Sequence, residues 1–214
     1  MALLDTAFTA FVAFIVILDP PGTAAIFAAM TRTLAPAQRH AMARRAILLA
    51  SALLLVFAVI GRDVLAALGI GLPAFRIAGG ILLFWLAANM VFARRSGLRS
   101  TTPAEDEEAA IRDDITVFPL AFPLIAGPGA MTSVVLLMGR TAGDPAAAAV
   151  VLAVLGVVMG LLLLSLRAAG TILRLLGVTG AQVVSRGLGV LLAALAAQFV
   201  LDGLLQALPG LAAR

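Results

Sequence analysis

Three charged residues lie inside apolar sequence, where charge is costly unless it is used or paired. Asp19 ends the run FTAFVAFIVIL and is followed by Pro20, Pro21 and Gly22. It stands about thirteen residues into its apolar stretch, so a rise of about 1.5 Å per residue puts it roughly 20 Å deep. An ionised carboxylate at that depth is a candidate site for a cation or a proton. The competing reading is a cap, in which Asp19 accepts hydrogen bonds at the start of the next helix, as Asn would. Arg76 and Arg186 have apolar residues on both sides. They suit an anion or carboxylate clamp facing a cavity, or structural arginines that snorkel or bond backbone carbonyls.

A second set of candidates is backbone. The stretch FPLAFPLIAGPGAMT, residues 118–132, contains Pro119, Pro123 and Pro128 and the sequence Gly127-Pro128-Gly129. Proline removes a donor and clashes with the preceding turn, so no continuous helix runs through either this stretch or Asp19-Pro20-Pro21-Gly22. The helix starts after Gly22 and Gly129 would expose the N–H groups of Thr23, Ala24, Ala130 and Met131 to a negative group. Thr23, Thr132 and Ser133 add hydroxyls, while carbonyls freed by Pro123 and Pro128 would suit a cation; the sequence does not choose the sign. Gln198 and Asp202, four apart, share a helix face. Asp202 near the end of its span reads most simply as a solvated helix end. His40 is alone among polar neighbours. With no paired carboxylates in apolar sequence, no Ser-His pair and no nucleotide motif, neither an enzyme, a resident metal nor a cofactor is expected.

The elements that must carry these residues are membrane helices. Of 214 residues, 63% are hydrophobic and 12% charged, which excludes an ordinary soluble domain. Absence of cysteine excludes a disulfide framework. All 15 basic residues are arginines, and most sit at the ends of apolar runs, where they set topology. The net charge of +4 therefore does not indicate nucleic-acid binding. The N-terminal run has no basic start and carries Asp5, so it is not read as a cleaved signal peptide. The expected partners are the lipid bilayer and a small solute or ion.

The fold class expected is an all-α membrane protein of six spans. They are 6–30, 46–60, 77–93, 115–139, 146–166 and 187–208, the first and fourth broken. Residues 64–75 and 175–185 are apolar but short, and read as half-helices or bent lead-ins to the third and sixth spans. Residues 94–113 form a hydrophilic linker with an acidic run at Glu105–Glu108. The glycines of Gly156-x-x-x-Gly160, and the stripe Gly189, Ala193 and Ala197, read as packing faces. They also leave a homo-oligomer open.

The two halves align. Pro21-Gly22 matches Pro128-Gly129 at a separation of 107, Leu68-Gly69-Ile70 matches Leu176-Gly177-Val178 at 108, and Arg76 matches Arg186 at 110. Units 1–93 and 114–214 thus read as a duplication of three spans each. An odd number of spans inserts the second unit upside down, so the breaks should approach each other near the midplane. Ten arginines (Arg32, Arg39, Arg44, Arg45, Arg94, Arg95, Arg99, Arg112, Arg167, Arg174) fall on one side and three (Arg62, Arg140, Arg214) on the other. The arginine-rich side is cytoplasmic by the positive-inside rule, with both termini periplasmic.

The Pro-Pro-Gly segment after Leu18, FRIAGGILLF at 75–84, FPLAFPLIAGPGAMT, SRGLGVLL at 185–192 and AAQFVLDGL at 196–204 resemble the MarC family. The resemblance covers nearly the whole chain. It implies a bacterial inner-membrane protein grouped with LysE-like exporters, hence a transporter-type fold, and it implies no substrate. Asp19 departs from the Asn the family usually carries before this proline, and Asp202 stands where Asp or Asn is seen. The leading expectation is a secondary transporter exporting a small polar or charged solute by alternating access. Alternatives are a metal or inorganic ion transporter on the same scaffold, and a non-transporting scaffold or lipid-handling protein.

Overall fold

The computed structural model describes residues 2–93, 116–141 and 143–208. The linker expected at 94–113, its acidic run and Arg214 lie outside the described residues. Within them the chain is helical, with no strand. The elements are α1 (Ala2–Leu18), α2 (Pro20–Met30), α3 (Pro36–Ala67), α4 (Leu72–Val91), an irregular segment (Thr116–Ile125), α5 (Pro128–Arg140), α6 (Pro145–Arg167) and α7 (Ala169–Ala207). Proline opens α2, α3, α5 and α6. There its missing N–H costs nothing and its fixed φ suits the first turn. Asp144 completes the start of α6 by accepting from Ala146 N and Ala147 N at 3.0 Å.

Five stretches are long and apolar enough to cross a membrane: Ala2–Met30, Pro36–Ala67, Leu72–Val91, Pro145–Arg167 and Thr179–Ala207. A sixth crossing exists if the irregular segment and α5, bent by 53°, count as one span. At 32 residues, α3 is about 48 Å long and exceeds a ~30 Å hydrocarbon core. Its first turns, with Arg39, Arg44 and Arg45, therefore reach beyond the core.

Two boundaries differ from the sequence reading. Residues 64–75 are not a half-helix: α3 continues to Ala67, and Leu72 to Phe75 are already the first turn of α4. Only a turn separates them, with Gly69 at φ +70. Residues 175–185 likewise belong to α7, which is interrupted at Gly177 with φ 65 and ψ 176. Both glycines occupy a region other residues avoid.

The most extensive helix contact is α4 on α7. Apolar side chains gain nothing by leaving lipid, so close backbone approach must supply the attraction. Buried Gly189, Leu192, Ala196, Phe199 and Gly203 alternate at three and four residues, a heptad seam. Gly80 of α4 fits against it: an added Cβ would lie 2.8 Å from the Ala196 carbonyl and 3.0 Å from the Val200 nitrogen. The seam corrects the expected stripe. Ala193 is only half-buried and Ala197 is exposed, because a strict step of four drifts off a face that repeats every 3.5. Gly156 and Gly160 are also exposed, with nothing within 4 Å of an added Cβ, so among the described residues they pack against nothing.

Candidate functional site

At the first break, Asp19 adopts a left-handed conformation, φ 43, with 3% of its surface exposed. Helical bonding persists on either side, Asp19 N to the Ile15 carbonyl at 3.0 Å and Thr23 N to the Asp19 carbonyl at 2.9 Å. Between them donors are exchanged. Gly22 N would ordinarily reach the Leu18 carbonyl; instead it donates to Asp19 Oδ1 at 3.1 Å. The Leu18 carbonyl accepts from the Thr23 hydroxyl at 2.8 Å. The Gly22 donor and the Leu18 acceptor, which the break would orphan in an apolar interior, each acquire a partner. Asp19 thus makes the cap contact anticipated for it, and Thr23 is committed to the backbone.

Gly22 makes room for more than its own turn. A Cβ there would collide with the Asp19 carboxylate and with Ser185 Oγ. Ser185, on α7, therefore faces the break, and its buried hydroxyl has no hydrogen-bond partner. It belongs to this site although it was not singled out; its signal was its place in SRGLGVLL beside Arg186. Arg186 itself is exposed. Pro20 and Pro21 border a shallow, open cavity of about 480 Å³ whose other walls include Leu161, Leu164, Ser165 and Leu188.

The second break is built differently. In the irregular segment Phe118 and Phe122 are extended, and each is followed by a cis-proline, Pro119 and Pro123. The segment buries Pro119, Leu120, Ala121, Pro123, Leu124 and Ile125, as non-helical backbone at membrane depth requires. Gly127 then caps α5 without a side chain. Gly129 faces α4, with only Leu83 and Leu86 side-chain atoms within 4 Å of an added Cβ. Thr132 is buried with its methyl against Gly79, and Ser133 donates to the Gly129 carbonyl at 2.9 Å. The broken elements touch, α2 on the irregular segment and α1 on α5, but Gly22 faces α7 and Gly129 faces α4.

A third cluster lies where α5 ends and α4 begins. Arg140 donates to Asp202 Oδ2, and Gln198 Nε2 donates to Asp202 Oδ1 at 2.7 Å. The Arg140 guanidinium sits 5.3 Å from the Phe199 ring centre, within range of a cation–π contact. Asp202 is therefore paired rather than a bare solvated end. Arg76 is 5% exposed, packs at Gly203, and lies within electrostatic reach of both Arg140 and Asp202. Its Nε is buried without a partner. The candidates thus fall into groups: Asp19, Gly22 and Ser185 at the first break with Pro20 and Thr23; Gly129 and Thr132 against α4, with Gly127 and Ser133 beside them in the chain; and Gln198 on Asp202, next to the Gly203 at which Arg76 packs. The amide nitrogen of Asn89 is also buried and unpartnered, a polar residue within apolar α4 that sequence reasoning passed over.

Exchange of Ser185 for alanine removes one unpartnered hydroxyl and deletes no hydrogen bond. Its thermal midpoint should match the parent protein's within a degree or two, of order 0.5 kcal/mol. A large loss would mean that Ser185 has a structural partner in the membrane.

A family profile described as "MarC family integral membrane protein" matches residues 4–208. A UPF0056 membrane protein of Archaeoglobus fulgidus is 36% identical over 94% of this chain and 93% of its own length. UPF0056 membrane protein YvbG of Bacillus subtilis is 33% identical over 91% and 92% respectively. UPF0056 inner membrane protein YhgN of Escherichia coli is 35% identical over 92% and 94%. No solved structure matches.

Proposed function

The chain belongs to the MarC family of integral membrane proteins, and from that premise we propose that it is a secondary transporter of a small polar or charged solute, working by alternating access between two inverted repeats. The observation that carries this reading is the pattern of helix contacts. Pair α1 with the irregular segment, α2 with α5, α3 with α6 and α4 with α7. Then α1 on α6 matches the irregular segment on α3, α2 on α7 matches α5 on α4, α2 on α6 matches α5 on α3, and α1 on α5 matches the irregular segment on α2. The contacts α4 on α7 and α3 on α6 map onto themselves, while α1 on α7 and the slighter contacts α6 on α7 and α5 on α6 have no counterpart of similar extent. Gly69 and Gly177, 108 apart in sequence, share a positive φ. Such exchange is what a two-fold relation between repeats 1–93 and 114–214 requires, with 94–113 as the cytoplasmic linker.

The equivalent arginines differ, and alternating access accounts for that. Arg76 is buried beside the Arg140–Asp202 pair while Arg186 is exposed. Two repeats in unlike conformations close one side of a central site and open the other. Single cysteines at 118–132 test this, with no native cysteine to interfere. Thr132→Cys should react with a membrane-impermeant maleimide from one side of the membrane. If no position reacts from either side, the centre is dry and the transporter reading falls.

A second reading, lipid handling, is favoured by the apolar walls of the cavity beside Pro20 and Pro21. A lipid carrying a photoactivatable acyl chain should then label Leu161 or Leu164, while 118–132 stays unreactive to maleimide.

The arginine count, ten against three, favours termini in the periplasm, and the name of the YhgN relative supports an inner-membrane location. Alkaline phosphatase fused after Arg214 should be active, and fused at Ser100 inactive. The reverse pattern would invert every side assignment.

A further inference from the structure

We propose that Arg76 and Arg140 together form a binding site for one oxyanion, a carboxylate or phosphate group, in the half of the membrane where α4 begins. The site deepens the transporter reading by giving the solute a negative group, and rests on that reading only for this last step.

Three observations carry it. The first is charge: Arg140 pairs with Asp202, and Arg76, whose Cβ lies against Gly203 next to that carboxylate, adds a second cation with no ion pair of its own among the described residues. The second is that this carboxylate is already engaged on both oxygens, Oδ2 by Arg140 and Oδ1 by Gln198. The third is that Arg76, 5% exposed, keeps a buried Nε with no partner. A guanidinium cannot shed its charge, and in an apolar span an uncompensated one is costly. Its planar fork suits an oxyanion, which can accept two parallel bonds. Gly203 lets this happen: an added Cβ would stand 3.2 Å from the Arg76 Cβ and 2.9 Å from the Pro73 carbonyl, so a larger residue would push the arginine away. Asp202 then acts as the resident anion that holds Arg140 while the site is empty. Arg186, exposed and outside this cluster, takes no part.

The test uses the full chain in phosphatidylcholine nanodiscs, followed by fluorescence of its single tryptophan, Trp85, during heating. Acetate and inorganic phosphate are titrated against chloride at equal ionic strength. Each oxyanion should raise the unfolding midpoint in a saturable way. Arg76→Gln should weaken that response by about tenfold or more, the worth of a charged hydrogen bond. In chloride alone Arg76→Gln should leave the midpoint unchanged or raise it, because it removes an unpaired buried charge. Arg76→Lys, which keeps the charge and loses the fork, should show the weakened response as well. No response in the parent protein, an undiminished response in Arg76→Gln or Arg76→Lys, or a lowered midpoint for Arg76→Gln in chloride, overturns the site. Adding phosphatidylglycerol separates the sources. Stabilisation that depends on Arg76 and saturates with this lipid, leaving no further effect of acetate or phosphate, assigns the oxyanion to a headgroup and overturns the link to a solute. The nanodisc has no second compartment, so failure of transport, or a centre unreactive to maleimide, leaves this result independent.

Discussion

Gly80→Leu is expected to prevent α4 from seating on α7. A first added carbon already meets backbone, the Ala196 carbonyl at 2.8 Å and the Val200 nitrogen at 3.0 Å, as well as the Val200 side chain at 2.7 Å. Backbone in the middle of a helix does not rotate away as a side-chain tip does. Gly80→Ala alone should therefore cost about 1–3 kcal/mol as overpacking. Leucine, three carbons longer, must separate the two helices. Because α4 on α7 is the most extensive contact in the fold, its loss should leave little protein that purifies as a single species. Gly160→Leu, at an exposed position with nothing within 4 Å of an added Cβ, is the control and should behave like the parent protein. Size-exclusion profiles and thermal midpoints in detergent decide the matter. A monodisperse Gly80→Leu protein of unchanged stability would show that the α4–α7 seam is not as tight as described.

The second large effect is expected at Asp19, and it should depend on which property is removed. Asn tolerates a left-handed conformation and accepts the same bond from Gly22 N, so Asp19→Asn should fold with nearly unchanged stability. Leucine fails on both counts. It holds an aliphatic side chain, with no local hydrogen bond to offset the strain, at φ 43, about 1–2 kcal/mol, and abandons the cap, about 1 kcal/mol. Asp19→Leu should thus be destabilised by about 2–3 kcal/mol, read as a lower thermal midpoint. Thr23→Val should cost about 0.5–1.5 kcal/mol by removing the hydroxyl that donates to the Leu18 carbonyl. If Asp19→Asn folds normally yet loses the one-sided maleimide reactivity at 118–132, the carboxylate charge itself is used. If Asp19→Leu is as stable as Asp19→Asn, the cap account is wrong.

Much of the fold was legible because its signals are local. Apolar runs of about twenty residues in a chain that is 63% hydrophobic specify membrane helices whatever they pack against. Prolines mark helix starts by their own covalent geometry, as Pro36, Pro128 and Pro145 do. Asp19 before two prolines and Gly22 announces a capped break without reference to any neighbour. The family too was readable from contiguous motifs, and the matching profile over 4–208 agrees. What tertiary structure decided is which faces meet. The step-of-four stripe Gly189, Ala193 and Ala197 was a fair reading of one helix alone, yet the seam follows Gly189, Ala196 and Gly203 because α4 approaches along a 3.5-residue repeat. Gly156 and Gly160 satisfy the spacing of a packing motif and pack against nothing among the described residues, since spacing does not name a partner. Arg76 and Arg186 stand in equivalent sequence, but one is buried and the other exposed. That difference, like the meeting of Arg140 with Asp202 across 62 residues, depends on how separate helices are placed in space, which no single stretch of sequence encodes.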